Sequence, residues 1–173
     1  MPLPIVMRDI VLDGESLKIR DVVETGLGRT TVYLSNKARE RMEASRLGID
    51  RILESGETTY GINTGFGALS SVSIDSDKLE ALQANLIRSH ACGIGEEMEN
   101  KHTLMMMLIR ANTLCRGNSG ARPLIVETLI SMINHKICPI IPRIGSLGAS
   151  GDLAPLSHLA MGMMGEGFCN IMN

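Results

Sequence analysis

The sequence predicts a mainly α fold with a few short strands. Several stretches place apolar residues three or four apart, behind Ser, Asp or Pro starts and ahead of Gly stops, which is the spacing of one helix face. Hydrophobic residues make up 44% of the chain, yet only Tyr33, Tyr60, Phe66 and Phe168 are aromatic, so the core must be aliphatic and rich in Met. Only two short runs read as strands.

Residues 5 to 12 alternate weakly and stop at the turn pair Asp13-Gly14, which predicts a strand followed by a short helix over 16–24. Behind a Ser35 cap, Ala38, Met42, Ile49, Ile52 and Leu53 predict a helix to Ser55, weakened at Gly48 and ended by Gly56. Thr58-Thr59-Tyr60 is β-prone, and Gly61 to Gly67 is rich enough in glycine to form a loop. Leu79, Leu82, Leu86 and Ile87 share one face of a helix over 75–91, capped by Asp75 or Ser76, and His90 lies four after Leu86 on that face. A helix over 100–116 carries Leu104 to Ile109, apolar on all sides, and reads as the central one. Pro123 suits the first turn of a helix ending near His135, before Pro139 and Pro142. A last helix starts near Asp152 with Pro155 in its first turn and runs to Gly165.

Charge excludes some functions. Seventeen basic residues against 19 acidic ones leave a net charge of -2, with no footprint for nucleic acid or an anionic membrane. Cys92, Cys115, Cys138 and Cys169 are too widely spaced for a zinc site and read as reduced thiols, and Met105 to Met107 read as core filler, so no metal is expected. The start of the chain lacks a basic leader and apolar core, and the longest apolar run is too short to span a bilayer, so the expectation is a soluble, cytoplasmic protein. No repeat or linker divides residues 1–173, which read as one domain. The last residues, Met161 to Asn173, close on apolar side chains without a polar tail and look like a cut edge.

The segment Gly145-Ser-Leu-Gly-Ala-Ser-Gly-Asp-Leu-Ala-Pro155 is the most unusual. Its spacing alone fits a Gly/Ser loop with a helix cap, and matches neither the dinucleotide fingerprint nor the P-loop. Its chemistry offers more. In a tight bend the Gly151 amide nitrogen can attack the Ala149 carbonyl carbon, and loss of two waters, one of them carrying the Ser150 hydroxyl, closes a five-membered ring with an exocyclic methylene.

At this point the chain resembles the aromatic amino acid ammonia-lyase family, whose members make the electrophile 4-methylidene-imidazol-5-one (MIO) from their own Ala-Ser-Gly. The likeness rests on Gly145 to His158, on Tyr60-Gly-Ile-Asn-Thr-Gly-Phe-Gly67 and on Asn85-Leu-Ile-Arg-Ser-His-Ala-Cys-Gly93, three motifs in order across nearly the whole chain. It implies the helical N-terminal domain of the fumarase/aspartase-like lyase superfamily. It also implies MIO built autocatalytically from Ala149, Ser150 and Gly151, with no metal or dissociable cofactor.

The implied chemistry is elimination of ammonia from a small amino acid. The ring, at a helix N-terminus that favours electron density building up there, takes the substrate's amino group while a base removes a weakly acidic β-proton. Tyr60 matches the family's base, although on its own it reads sooner as a tyrosine packed at a strand end, and its phenol must be made more acidic than usual to act. The loop's glycines suit a lid, and Asn63 is a polar substrate contact. His90 reads on its own as a core histidine; the resemblance makes it the residue that recognises the substrate ring, with histidine first (giving trans-urocanate) and tyrosine second, since phenylalanine enzymes place an apolar residue there. Asp152 assists cyclisation by proton transfer, caps the helix, or does both.

Complete members are much longer, and their later segments supply an Asn, a Tyr, an Arg and a Glu that grip the substrate. The resemblance therefore implies an N-terminal, MIO-bearing piece of a homotetrameric enzyme whose sites draw on several subunits. Such a piece is expected to fold, to self-associate through exposed apolar surface and to be inactive alone. An MIO-dependent aminomutase and, for the piece itself, a non-catalytic interaction domain are the alternatives.

Overall fold

The computed structural model describes residues 7–64, 76–146 and 153–172. Strands β1 (Arg8–Leu12) and β2 (Thr30–Leu34) pair in parallel with Ile10 opposite Val32, joined by a crossover through α1 (Ile19–Gly26). Ile10, Leu12 and Val32 turn inward, as strand alternation requires. Helix α1 begins three residues later than the sequence suggests, because Asp13 holds the Glu15 and Ser16 amides in a turn at 2.8 Å each. The carboxylate of Asp21 then accepts the Lys18 N–H at 3.0 Å and sets the first turn. At the other end Gly26 packs so closely on the next layer that a Cβ there would lie 2.9 Å from the Lys101 carbonyl oxygen.

Helix α2 (Asn36–Ser55) has the Ser35 cap expected of it, with the Ala38 amide donating to Oγ at 3.1 Å, and ends at Gly56 with φ of +70°. Gly48 does not interrupt it. Helix α3 (Ser76–His90) leads through a glycine turn into β3 (Ile94–Glu97), and α4 (Asn100–Leu114) follows. Helix α5 (Pro123–Asn134) places Pro123 in its first turn, where a missing N–H costs nothing. Short strands β4 (Ile137–Pro139), β5 (Pro142–Ile144) and β6 (Cys169–Ile171) surround α6 (Leu153–Met164) in the chain. β3 pairs antiparallel with β5, and β4 antiparallel with β6, Cys138 opposite Asn170.

The mainly α expectation holds, with six helices among the described residues. α4 packs on α1, α5 and β4, and Leu104, Met107, Leu108 and Ala111 on it are wholly buried. Two details differ from the sequence reading. Burial in α4 is one-sided, since Ile109 remains 49% exposed. Thr58-Thr59-Tyr60 forms no strand: residues 60–62 are a turn, because hydrogen bonds from one side chain, Asn63, curl the backbone there. The four later strands, three or four residues each, escape sequence patterning because they are too short to show an alternation, whereas β2, as long as β1, is settled by its pairing with β1.

One polar device ties the layers. The side-chain amide of Asn134, last residue of α5, accepts the Val32 N–H at 2.8 Å and donates to the Val32 carbonyl at 2.9 Å, imitating a neighbouring strand. Replacing Leu108 by Ala should lower the stability of the chain by about 2–5 kcal/mol in urea denaturation, with an unchanged m-value, because the wholly enclosed site cannot collapse.

Candidate active site

The turn after α2 is built by Asn63. Its Oδ1 accepts the Thr59 N–H at 2.8 Å and its Nδ2 donates to the Glu57 carbonyl at 2.9 Å, while the Gly61 amide donates to Thr64 Oγ1 at 3.2 Å. Gly61 takes φ of +78°, a conformation that glycine adopts without strain. Asn63 and Thr64 are buried and Tyr60, between the two anchored ends, is 66% exposed. Asn63, expected as a substrate contact, uses one N–H and one lone pair of its amide on the backbone around Tyr60.

His90 ends α3. Its Nδ1 lies 2.8 Å from the Leu86 carbonyl oxygen and 3.1 Å from Ser89 Oγ, and because a carbonyl only accepts, Nδ1 is the donor to Leu86. Two residues earlier, Arg88 reaches across to the loop after α6 with a bidentate pair to Glu166, 2.7 and 2.5 Å, while its other arm donates to Asn85 Oδ1 at 2.9 Å. The guanidinium holds the Glu166 carboxyl below its ordinary range and is itself pushed up by the carboxylate.

Ala149, Ser150, Gly151 and Asp152 lie outside the described residues, as do residues 65–75 of the glycine-rich loop and the proposed Asp75 cap. Their flanks are described. Gly145 comes so near α6 that a Cβ on it would sit 3.2 Å from the Cβ of Ala154 and 3.0 Å from the Cα of Gly93. The chain therefore leaves and re-enters at nearly one point across residues 145–154. Gly93 is as confined: its N–H donates to His158 Nε2 at 3.1 Å, and a Cβ there would stand 3.1 Å from Pro142 Cβ. Burial pushes the His158 imidazolium pKa down.

A cleft of about 680 Å³ opens beside the Tyr60 turn, lined by Ile49, Leu53, Ile62, Asn63, Gln83 and Arg122 among others. Its floor depends on Gly120, which is buried and donates its N–H to Ser45 Oγ at 3.1 Å. Arg122 borders this cleft as well, just past the glycine-rich junction at 117–120, where the backbone comes close to α2. Among the described residues no three His, Cys, Asp or Glu side chains gather as metal ligands, and no helix is long and apolar enough to cross a membrane.

This arrangement of helices and short strands is shared with solved amino acid lyases and aminomutases. Histidine ammonia-lyase from Trypanosoma cruzi matches with a TM-score of 0.89 and 42% identity, over 96% of this chain and 32% of that one. Tyrosine aminomutase from Streptomyces globisporus matches at 0.88 with 37% identity, over 93% of this chain and 30% of the other. In sequence, histidine ammonia-lyase of Staphylococcus saprophyticus is 51% identical over 156 residues, 90% of this chain and 31% of that protein. Residues 17–172 match the model of the aromatic amino acid lyases, and the chain belongs to that family. It spans about a third of the length of these relatives.

Two outcomes follow from the geometry. Asn63→Ala should raise amide exchange at Thr59, with a local cost of about 1–3 kcal/mol for the unpaired backbone groups, while exchange in α4 is unchanged. Burial pushes the Cys115 and Cys138 thiols up to about 11, so iodoacetamide at pH 8 should label the exposed Cys92 and Cys169 first. Cys115 and Cys138 should label only on unfolding, as read by peptide mass mapping.

Proposed function

We propose that residues 1–173 are the N-terminal, electrophile-bearing domain of a cytoplasmic, homotetrameric histidine ammonia-lyase, which converts L-histidine to trans-urocanate and ammonia. The observation that carries a polar substrate ring over a bare phenyl ring is the contact of His90 Nδ1 with the Leu86 carbonyl oxygen: with that nitrogen donating, Nε2 of a neutral ring is the acceptor for an imidazole N–H or a phenol O–H. The 51% identity to a histidine ammonia-lyase supports histidine of the two.

The group the family needs is MIO, formed here from Ala149, Ser150 and Gly151. What supports its fit is the position of both flanks: Gly145 stands close to Ala154 and to Gly93, so the two ends of the Ala-Ser-Gly segment are held near each other, as a ring closure between the Gly151 nitrogen and the Ala149 carbonyl carbon would require. Two waters leave, and Asp152, next in the chain, is the group that moves the protons. When present, the ring supplies an electrophilic methylene that makes the substrate's amino group a leaving group. Tyr60, held out by the Asn63 turn, takes the β-proton at its phenolate oxygen. His90 Nε2 orients the substrate ring.

An aminomutase is the second reading, because the tyrosine aminomutase fold matches almost as well as the lyase. The early steps would be the same; product analysis of an enzyme containing this chain separates urocanate from a β-amino acid.

The exposed Phe168, Ile171, Ile94 and Ile144 support self-association of this piece, and the absence from it of the carboxylate-gripping Arg expected of the family supports its inactivity alone. Intact mass of the purified chain tests the ring: a loss equal to two waters, abolished by Ser150→Ala, is the expected result, and an unaltered mass would mean that these residues do not cyclise here. In an enzyme containing the chain, Tyr60→Phe should lower kcat by at least about 10²-fold, while deamination by the 173-residue chain itself would refute its inactivity.

A further inference from the structure

His158 is the last residue of the motif that carries Ala149, Ser150 and Gly151, yet the reaction described above leaves it without a task. It lies one helical turn beyond Ala154 on α6, half-buried, and its Nε2 accepts a hydrogen bond from the Gly93 backbone 65 residues away in the chain. Gly93 closes the turn that follows His90, three residues on. The same turn is gripped from two other sides: Pro142 of β5 stands where a Gly93 Cβ would go, and Gly145, just ahead of the Ala149 segment, packs on its Cα.

We propose that His158 is a positioning residue whose neutral ring latches the Gly93 turn to α6 and thereby sets where His90, three residues before that turn ends, stands relative to α6. This deepens the lyase reading and, for its catalytic consequence, rests on it. Three observations converge. Among its described side chains, residues 78–90, α3 has none that is wholly buried, so apolar burial alone does not fix its C-terminal end. Polar ties from this end of α3 and the turn after it to α6 and the loop beyond include the exposed Arg88–Glu166 pair, which joins two side chains, and the N–H to imidazole bond at Gly93, which fixes the backbone itself. Finally, the acceptor must be an unprotonated ring nitrogen: a protonated His158 would set an N–H against the Gly93 N–H, and the latch would open.

The surroundings make the latch sensitive to pH in one direction. Of the titratable groups on the elements packed near His158, Arg88 is bound to Glu166, His90 gives its Nδ1–H to Leu86, Arg143 of β5 lies against Glu96, and the Cys138 and Cys169 thiols are pushed up by burial and stay neutral. Burial is the cause of the shift at His158 itself. Because the folded chain resists the proton that the unfolded chain accepts near 6.5, the contribution of His158 is complete above pH 6.5 and declines as pH falls below it.

The test uses the 173-residue chain and reads the Gly93 amide by hydrogen exchange and NMR, at neutral pH and below 6. Wild type should protect this amide at neutral pH and lose about tenfold of that protection in acid, the size of one net hydrogen bond, while amides of α4 stay protected. His158→Gln, which carries an acceptor oxygen near the place of Nε2, should keep the protection at both pH values. His158→Leu, of similar bulk without an acceptor, should lack it at both. Equal protection in wild type and His158→Leu, with α4 intact in each, would overturn the proposal, and so would wild-type protection that does not change with pH. Should His158→Leu fail to fold, the pH-independence of His158→Gln against the pH-dependence of wild type decides the matter. Intact mass is measured alongside: a latch confirmed at Gly93 with no loss of water in wild type would sink the ring reading and leave the latch standing. Where wild type does cyclise, the cyclised fraction should fall several-fold in His158→Leu and recover in His158→Gln.

Discussion

Burial of one face of α4 governs the rest of the molecule. Leu104, Met107, Leu108 and Ala111 exclude water completely, and the elements that exclude it are α1, α5 and the short strands, each brought in by its own apolar residues. With almost no aromatic bulk available, that core is filled by Leu, Ile, Val and Met, which interdigitate at close range and tolerate no thick spacer. Hence glycine stands at Gly26, where α1 lies within van der Waals reach of the α4 backbone, and at Gly120, where the 117–120 junction touches α2. The aliphatic composition and these close approaches are two sides of one packing solution.

Tyr60 and His90, the described residues proposed to act on substrate, sit outside that core. They lie on elements whose described side chains are mostly half-buried or exposed, and polar ties run beside them: Asn63 within the turn, Arg88 to Glu166, and His158 to Gly93. Hydrogen bonds constrain direction more sharply than apolar contacts do, which suits the roles proposed for these side chains. The residues that bury the core and the residues proposed for the chemistry are thus different sets.

Much of this was legible in the residues. Helix limits were visible wherever a cap residue and a stop residue bracket an apolar period, as at Ser35 and Gly56 or at Pro123, and the family could be read because Ala149-Ser150-Gly151, Tyr60 and His90 occur in distinctive company. What could not be read depended on partners far away in the chain. α1 started late because a turn at Asp13 and the carboxylate of Asp21 took over its first residues. Thr58 to Tyr60 had β-branched residues but found no strand to pair with, and Asn63 curled them instead. β2 has an ordinary strand composition, but its membership of a sheet is settled by β1 and by Asn134, which no local pattern announces. Asn63 illustrates the same limit at the site: a polar residue in a motif is visible, whereas the Thr59 N–H and the Glu57 carbonyl that bond its amide are not.

The Asn134 to Val32 tie has a consequence for how the chain is made. β1 and β2 lie close in sequence and can pair as soon as residue 34 has emerged, but the group that covers the free edge of β2 arrives 102 residues later. At ribosomal speeds of about 5–20 residues per second, that edge stays open for several seconds during synthesis. An uncovered strand invites pairing with any other chain within reach. The interval between making β2 and making α5 is therefore the period when a nascent copy is most exposed to aggregation, and Thr30 and Thr31, polar residues at the start of that strand, moderate its appeal to neighbours.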